Sequence, residues 1–409
     1  MRILFLSPYI SIDSRPEFVR NKTGFGYMVY DIAASIAQVE EVDMLVADVR
    51  YKPFTRDGIR FLGISVRNLV SNCLRALPLR VLTTLFRKYK LSSGTAVRLV
   101  YYWIQSGYLR KVIRQGNYDI VHIHGCGLQT EIWMEICKRM GQKYLVTLHG
   151  LNSFSDTVRV EDGMKQYERE FLKRVVDGEF PITVISTGIK RQIENAYGVR
   201  ECRGISVVCN SFHLLDRNDF LDVRGKNGIL EDAKLLLYVG NVSLNKNQSQ
   251  MIRAFCGLPK EMKQRTYVLF CGRADESLDL AAEIAKVEES SHLLLCGAVP
   301  KDQMPDYYRA ADGVVLLSFA EGFGLSLVEG MHYGLPCVMF MDMDAYEDIY
   351  DPCAVVAVET RDDAAVTSGI MRLLTASWDK NTIKKSAARF DNSHLAQNYV
   401  SAYHAVIGR

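Results

Sequence analysis

The sequence predicts two doubly wound α/β domains, on three observations. The chain has 409 residues, about twice the usual size of one domain. Short apolar runs of strand length alternate with helix-length segments along its course. These runs end in polar residues or glycine, as strands do where an open α/β sheet binds its ligand.

The most informative unit lies at 311–330, where a buried strand, a glycine-rich turn and a helix start follow one another. Val314 to Leu317 is apolar enough to be covered on both faces. Gly322 and Gly324 allow a ligand close to the backbone, and the amides of the following helix suit an anion. Glu321 and Glu329 flank this turn. A carboxylate there repels phosphate unless it is aimed at hydroxyls. A ligand with a diphosphate, a ribose and a sugar ring satisfies both conditions. The competing reading is an ordinary strand-turn-helix with solvated glutamates.

Taken in order, Ile3 to Leu6 is the first strand, starting too close to the N-terminus to read as a signal peptide. A polar loop, Asn21-Lys22-Thr23-Gly24-Phe25-Gly26, leads into a helical pattern reaching about Val39. Its glycines suit either a ligand cradle or a tight connection. Asp43 to Val49 is a second strand. From Phe61 to Asn117 there is no Asp or Glu, while arginines and lysines interleave with Leu69, Leu74, Leu82, Phe86, Leu99, Tyr102 and Trp103. Pro78 divides this segment. Basic, apolar and aromatic together, it suits an anionic membrane surface, or helices packed on the domain with solvated arginines. No recognised module accompanies the charge, so nucleic acid is not an expected partner.

Strands then follow at 118–124, 143–148, 182–185 and 205–208, and His149-Gly150 closes the second of these. After a polar connector come Leu235 to Val239, Tyr267 to Cys271, His292 to Cys296, Val314 to Leu317 and Pro336 to Phe340. The expected division is 1–214, 215–385 and a closing helical segment, 386–409. Ten cysteines without a CxxC pair suit reduced, mostly buried thiols in a cytosolic protein. No run reaches the 18 or so apolar residues of a membrane span, and the formal charge of +3 says little about partners.

The Glu321 to Glu329 spacing with Gly-Phe-Gly between resembles the retaining glycosyltransferases of the GT-B fold, and most closely their family 4. The resemblance implies two Rossmann-like domains facing a central cleft, the first binding the acceptor and the second the nucleotide-sugar donor. It implies a terminal helix that crosses back to the first domain. Glu321 would face the sugar ring and Glu329 the ribose hydroxyls. Phe323, Gly324 and Leu325 would bring their backbone to the phosphates, and Gly297 and Val299 match the loop near the base. Lys246 would stabilise the departing diphosphate, a task that also suits a point cation on chemical grounds. The arginine usual before that lysine is replaced by Asn241, and Arg273 is the candidate to compensate. Gly24 and Gly26 match the glycine loop of the first domain, although family members carry an adjacent glycine pair. His149 would bond a donor-sugar hydroxyl or handle charge near the anomeric carbon; a histidine capping its own turn is the alternative. Asp342-Met343-Asp344 stands where a glycine pair is expected, and a metal is implied neither there nor at His122 and His124.

The expected function is therefore transfer of a sugar, with retention, from a nucleotide-diphosphate donor, UDP-linked in the first instance. The basic segment 61–117 favours a lipid-linked or anionic acceptor, in surface polysaccharide or glycolipid synthesis, by a cytoplasmic enzyme at the inner membrane face. The alternatives are a soluble transferase for a small or protein acceptor, and a degenerate sugar or nucleotide binder. Two facing carboxylates of the glycosidase kind are not evident; Asp156 and Glu168 have no distinctive spacing.

Overall fold

The computed structural model describes residues 1–408 except 19–23, 155–159, 213–219 and 275–277. The expected boundary after residue 214, the polar stretch Asn21 to Thr23 and Asp156 lie outside the described residues. The chain forms two compact units, residues 1–210 with 392–409, and residues 211–391.

The first unit is built on eight strands: β1 (Arg2–Ser7), β2 (Glu41–Val46), β3 (Phe54–Arg56), β4 (Ile59–Phe61), β5 (Ile120–His124), β6 (Tyr144–Leu148), β7 (Ile182–Val184) and β8 (Ile205–Val207). Their order is β3-β4-β2-β1-β5-β6-β7-β8, all parallel except the β3–β4 pair. The second unit has six parallel strands: β9 (Lys234–Val239), β10 (Thr266–Cys271), β11 (Leu293–Gly297), β12 (Gly313–Leu316), β13 (Cys337–Phe340) and β14 (Val355–Val358). Their order is β11-β10-β9-β12-β13-β14. In both sheets the chain reverses its winding beside the first strand, so each is doubly wound and has a switch point at its carboxyl edge.

The central strands are buried on both faces. Ile3, Leu4, Phe5, Leu235, Leu236, Leu237, Val314 and Val338 are all within 1 % of full burial. This is why they read as continuous apolar runs rather than alternating ones. Three strands escaped the pattern. β3 and β4 form a hairpin around Asp57-Gly58, both with positive φ (49° and 77°), the conformation a tight two-residue turn requires. β14 is four residues long, at the sheet edge.

Helix Asn392–Ile407 belongs to the first unit and packs on helix Gly24–Ile36, with Ser35 Oγ donating to the Asn392 carbonyl at 3.3 Å. The closing segment expected at 386–409 is not one helix. Helix Lys380–Ala387 ends, and a short turn buries Phe390 against Phe323 (ring centroids 5.5 Å apart) before the last helix begins. All ten cysteines are free; four are buried and Cys73, Cys256 and Cys353 are exposed. Among the described residues no single helix is long and apolar enough to cross a membrane.

Candidate active site

In the second unit two loops at the carboxyl edge are laced together by polar side chains. Tyr238, fully buried in β9, accepts from the amide of Leu317 at 2.9 Å and donates to the carbonyl of Lys246. Asn245 holds the strand exit from three directions. Its carbonyl accepts from Phe319 N (2.8 Å), its Oδ1 from Ala320 N (3.0 Å), and its Nδ2 donates to Ala320 O (2.9 Å). Asn247, left-handed at φ 57°, donates from Nδ2 to the Leu317 carbonyl at 3.2 Å. The result is that Lys246 Nζ meets the Glu321 carboxylate, which Ser318 Oγ also approaches at 3.3 Å. Lys246 runs over Gly240, where a Cβ would lie 3.4 Å from its Cε. Gly272 is required for close approach, because a Cβ there would stand 2.0 Å from the Gly240 carbonyl oxygen.

Gly324 (φ 91°) turns the chain into helix Leu325–His332, and buried Phe323 anchors the turn. Leu325 opens that helix, part-exposed, with its backbone at the helix N-terminus. Glu329 lies just over one helical turn further on and accepts from the Tyr308 hydroxyl at 2.5 Å. Burial, more than the neighbouring carboxylate, pushes the Tyr308 phenol well above its ordinary value, so it remains the donor. Gly297 (φ 72°) ends β11 in an exposed position, with Val299 half-buried two residues on. Asn241 is engaged in its own turn: its Oδ1 accepts from the Arg273 amide at 3.3 Å and its carbonyl from Gln248 Nε2 at 3.0 Å. The Arg273 side chain is exposed and makes no ion pair with the described residues.

The Asp342 to Asp344 loop lies beside the same carboxylate. Burial, then the charges of Glu321 and Asp342, raise the Asp344 carboxyl to about 6. Asp342 is bound by both arms of Arg361 at 2.7 Å, and that guanidinium also lies 4.2 Å above the Phe340 ring. Among the described residues no group of three His, Cys, Asp or Glu could hold a metal ion.

In the first unit the strand ends carry a connected chain of histidines. His122 Nδ1 meets the Tyr403 hydroxyl at 2.7 Å and its Nε2 the Thr147 hydroxyl at 2.6 Å. His124 Nδ1 and His149 Nε2 are 3.0 Å apart, one donating to the other. The His149 ring meets Phe25 edge-on at 4.9 Å. His124 Nε2 and His149 Nδ1 have no partner among the described residues. Burial holds His122 and His124 well below the ordinary imidazole range and brings His149 down to about 3. All three rings are therefore neutral at neutral pH, so His149 offers hydrogen bonding rather than a standing cation.

Gly24 and Gly26 open helix Gly24–Ile36 rather than preceding it. They differ in what they meet. A Cβ on Gly26 would stand 2.3 Å from Ser11 Oγ, so that glycine is needed for packing, while one on Gly24 would meet nothing among the described residues.

Glu168 has a role that its spacing concealed. It is 2 % exposed, and its carboxylate accepts from Asn152 N (2.8 Å), Asn152 Nδ2 (3.2 Å), Ser153 N (2.7 Å) and Ser153 Oγ (2.6 Å). It thereby fixes the loop that begins at His149-Gly150. Its donors lie 15 and 16 residues upstream, across a loop, and no local signal reports them. Glu168→Ala strands the buried Ser153 amide and hydroxyl and the half-buried Asn152 amide, and is expected to cost about 3 kcal/mol of stability. Urea unfolding checks this, and Glu168→Gln, which keeps an acceptor, is expected to lose less.

Two family models match the chain. One described as Glycosyl transferases group 1 covers residues 219–390, and one described as Glycosyltransferase Family 4 covers 60–214. The O-antigen chain mannosyltransferase RfbU of Salmonella typhimurium is 23 % identical over 383 residues, 92 % of this chain and 95 % of that one. The D-inositol 3-phosphate glycosyltransferase of Acidothermus cellulolyticus is 24 % identical over 357 residues, 83 % of this chain and 76 % of that one. Among solved structures, a sucrose-phosphate synthase from Thermosynechococcus elongatus superposes with a TM-score of 0.74 at 15 % identity, covering 100 % of both chains. At that identity the likeness bears on the fold.

Proposed function

The chain is a glycosyltransferase of the GT-B fold resembling the group 1 and family 4 members, and on that premise we propose that it transfers a sugar from a nucleotide-diphosphate donor, with retention, during assembly of a surface polysaccharide or glycolipid. The observation that carries this reading is the contact of Lys246 with Glu321 at the carboxyl edge of the second sheet, eight residues before Glu329 on the adjoining helix. Glu321 and Glu329 stand in one strand-turn-helix, and the loop after β9 brings the Lys246 cation to Glu321. The relation to an O-antigen chain mannosyltransferase supports a polysaccharide product.

In the proposed reaction the acceptor hydroxyl attacks the anomeric carbon on the face from which the diphosphate leaves. The bond from that carbon to phosphate oxygen breaks as the bond to the acceptor oxygen forms, and the hydroxyl proton passes to the departing phosphate. Lys246 stabilises the charge growing on the diphosphate, with the amides at the start of helix Leu325–His332 beside it. Glu321 exchanges its lysine contact for hydroxyls of the sugar, and Glu329 accepts from the ribose. Asn241 keeps its own turn, leaving Arg273 as the free base on that side. Gly297 and Val299 flank the nucleotide base. In the first unit His149 offers a neutral hydrogen-bonding ring, and Glu168 holds its loop in place. The acceptor is lipid-linked or anionic, and the enzyme works at an anionic membrane surface through the segment 61–117.

Retention is tested by proton NMR of the product made from a donor of known anomeric configuration. The same configuration is expected in donor and product; an inverted product contradicts the front-face reaction.

A further inference from the structure

The acid-free segment is not one surface, and the structure divides it. Helix Ser93–Gly116 turns aromatic residues inward: Tyr102 and Tyr108 are buried, as is Leu109, and Trp103 Nε1 donates to the Leu77 carbonyl at 2.8 Å. The two helical segments before it, Val66–Arg75 and Leu79–Lys88, meet at 96° and rest on this helix. Their seating is specific. Leu77 N bonds Ser106 Oγ at 2.8 Å, and Gly107 leaves room for the Asn72 carbonyl, which a Cβ there would meet at 2.0 Å.

Each arm of this elbow has two apolar faces. Leu69, Leu82 and Leu85 are buried against the unit. The other face carries Val66, Val70 and Leu74 at four-residue intervals, then Leu79 and Phe86, all exposed. Leu74 is 99 % exposed and Val70 67 %. Arg67, Arg80, Arg87 and Lys90 are exposed around this face and make no ion pair with the described residues. The composition of the pair alone would also suit a bent span, but its buried leucines commit the inner face to protein. The outer face is left for a surface.

We propose that the elbow Val66–Lys88 is the membrane-docking element, which inserts Leu74 and Val70 among the headgroups of an anionic phospholipid bilayer while the flanking arginines pair with lipid phosphates. The inference rests on the reading above of an enzyme working at an anionic surface, and specifies the part of the chain that meets it. An apolar ridge bordered by bases is complementary to that surface alone: the ridge takes the acyl boundary and the bases the negative potential. Helix Ser93–Gly116 serves as its support and does not itself enter the membrane.

The test is sedimentation of the full chain with vesicles of phosphatidylglycerol and phosphatidylcholine mixed, or of phosphatidylcholine alone. The wild type is expected to sediment with the mixed vesicles at low salt, to be released by high salt, and to stay in solution with phosphatidylcholine. Val70→Glu/Leu74→Glu and Arg80→Glu/Arg87→Glu are each expected to lower the partition coefficient by about ten-fold or more, since each base near such a surface is worth about five-fold. Their thermal unfolding should match the wild type, because these side chains are exposed. The proposal is overturned if the wild type ignores the mixed vesicles, binds both kinds equally, or binds no better than the variants. It is also overturned if Leu74 proves instead to hold two copies together, seen as a concentration-dependent dimer without vesicles that Val70→Glu/Leu74→Glu abolishes. Stabilisation by nucleotide sugars, measured without vesicles, separates the two readings: if it persists while vesicle binding fails, only the docking element is wrong.

Discussion

Replacing Lys246 with alanine is expected to lower kcat/KM by about 10²–10³-fold, the usual loss when one group that stabilises developing charge is removed. The effect should fall mainly on kcat, because the diphosphate gains charge as the glycosidic bond breaks. In the unliganded chain Lys246 is satisfied by Glu321, so the substitution also leaves a half-buried carboxylate without its partner. Two controls separate the effects. Glu321→Gln/Lys246→Ala removes the stranded charge and should recover stability without recovering rate. Lys246→Arg keeps a cation but not its shape, and should retain part of kcat. Steady-state kinetics alongside urea unfolding of the same variants check this. Unchanged kcat in Lys246→Ala would remove the lysine from the reaction.

Acidification is expected to unfold the first unit early and steeply. The unfolded chain protonates its histidines around pH 6.5. In the folded chain His149 holds off until about 3, and His122 and His124 also titrate well below 6.5. The cause in each is burial first; the neighbouring imidazoles add to it at His122 and His124. Between these limits the unfolded state binds up to three more protons, so stability present above pH 6.5 is lost as the pH falls. Three imidazoles at up to about 1.4 kcal/mol per pH unit each give a slope of about 2 kcal/mol per unit at pH 6.5 that rises toward about 4 a unit lower, a loss of about 3 kcal/mol between pH 6.5 and 5.5. Urea unfolding from pH 6.5 to 5.5, above the range where most carboxylates titrate, measures it. His122→Gln should remove about a third of the slope. A flat profile over that interval would mean that these rings are already solvated in the folded chain.

What was legible in the sequence was whatever is written contiguously. The strand, turn and helix around Glu321 and Glu329 occupy one stretch, so their order was legible, while the left-handed turn at Gly324 is a feature that the structure adds. The eleven other strands were legible as apolar runs, most of them buried on both faces. The β3–β4 hairpin was missed although Asp57-Gly58 is a strong turn signal, because Phe54-Thr55-Arg56 and Ile59-Arg60-Phe61 each carry an arginine and make no apolar run. β14 is a short edge strand without a marker. The contacts that position the site were not legible because they join distant residues. Tyr308 reaches Glu329 over 21 positions, Asn245 reaches Ala320 over 75, and Tyr403 reaches His122 over 281. Each is an ordinary residue until the fold brings its partner near. The basic segment shows the limit of composition: two stretches with similar residues are packed inward in one case and bare in the other, and only the helix contacts distinguish them.

The most direct measurement is a thermal-shift titration of the purified chain with a panel of nucleotide-diphosphate sugars and free nucleotides, on the wild type, Glu329→Ala and Lys246→Ala. A ligand bound only by the folded state raises stability by about 2.7 kcal/mol at a hundred-fold excess over its Kd. The account predicts that one donor stabilises the wild type selectively, and that both variants lose most of that shift. No shift with any nucleotide, or a shift equal in all three proteins, would contradict a donor site built from Lys246, Glu321 and Glu329.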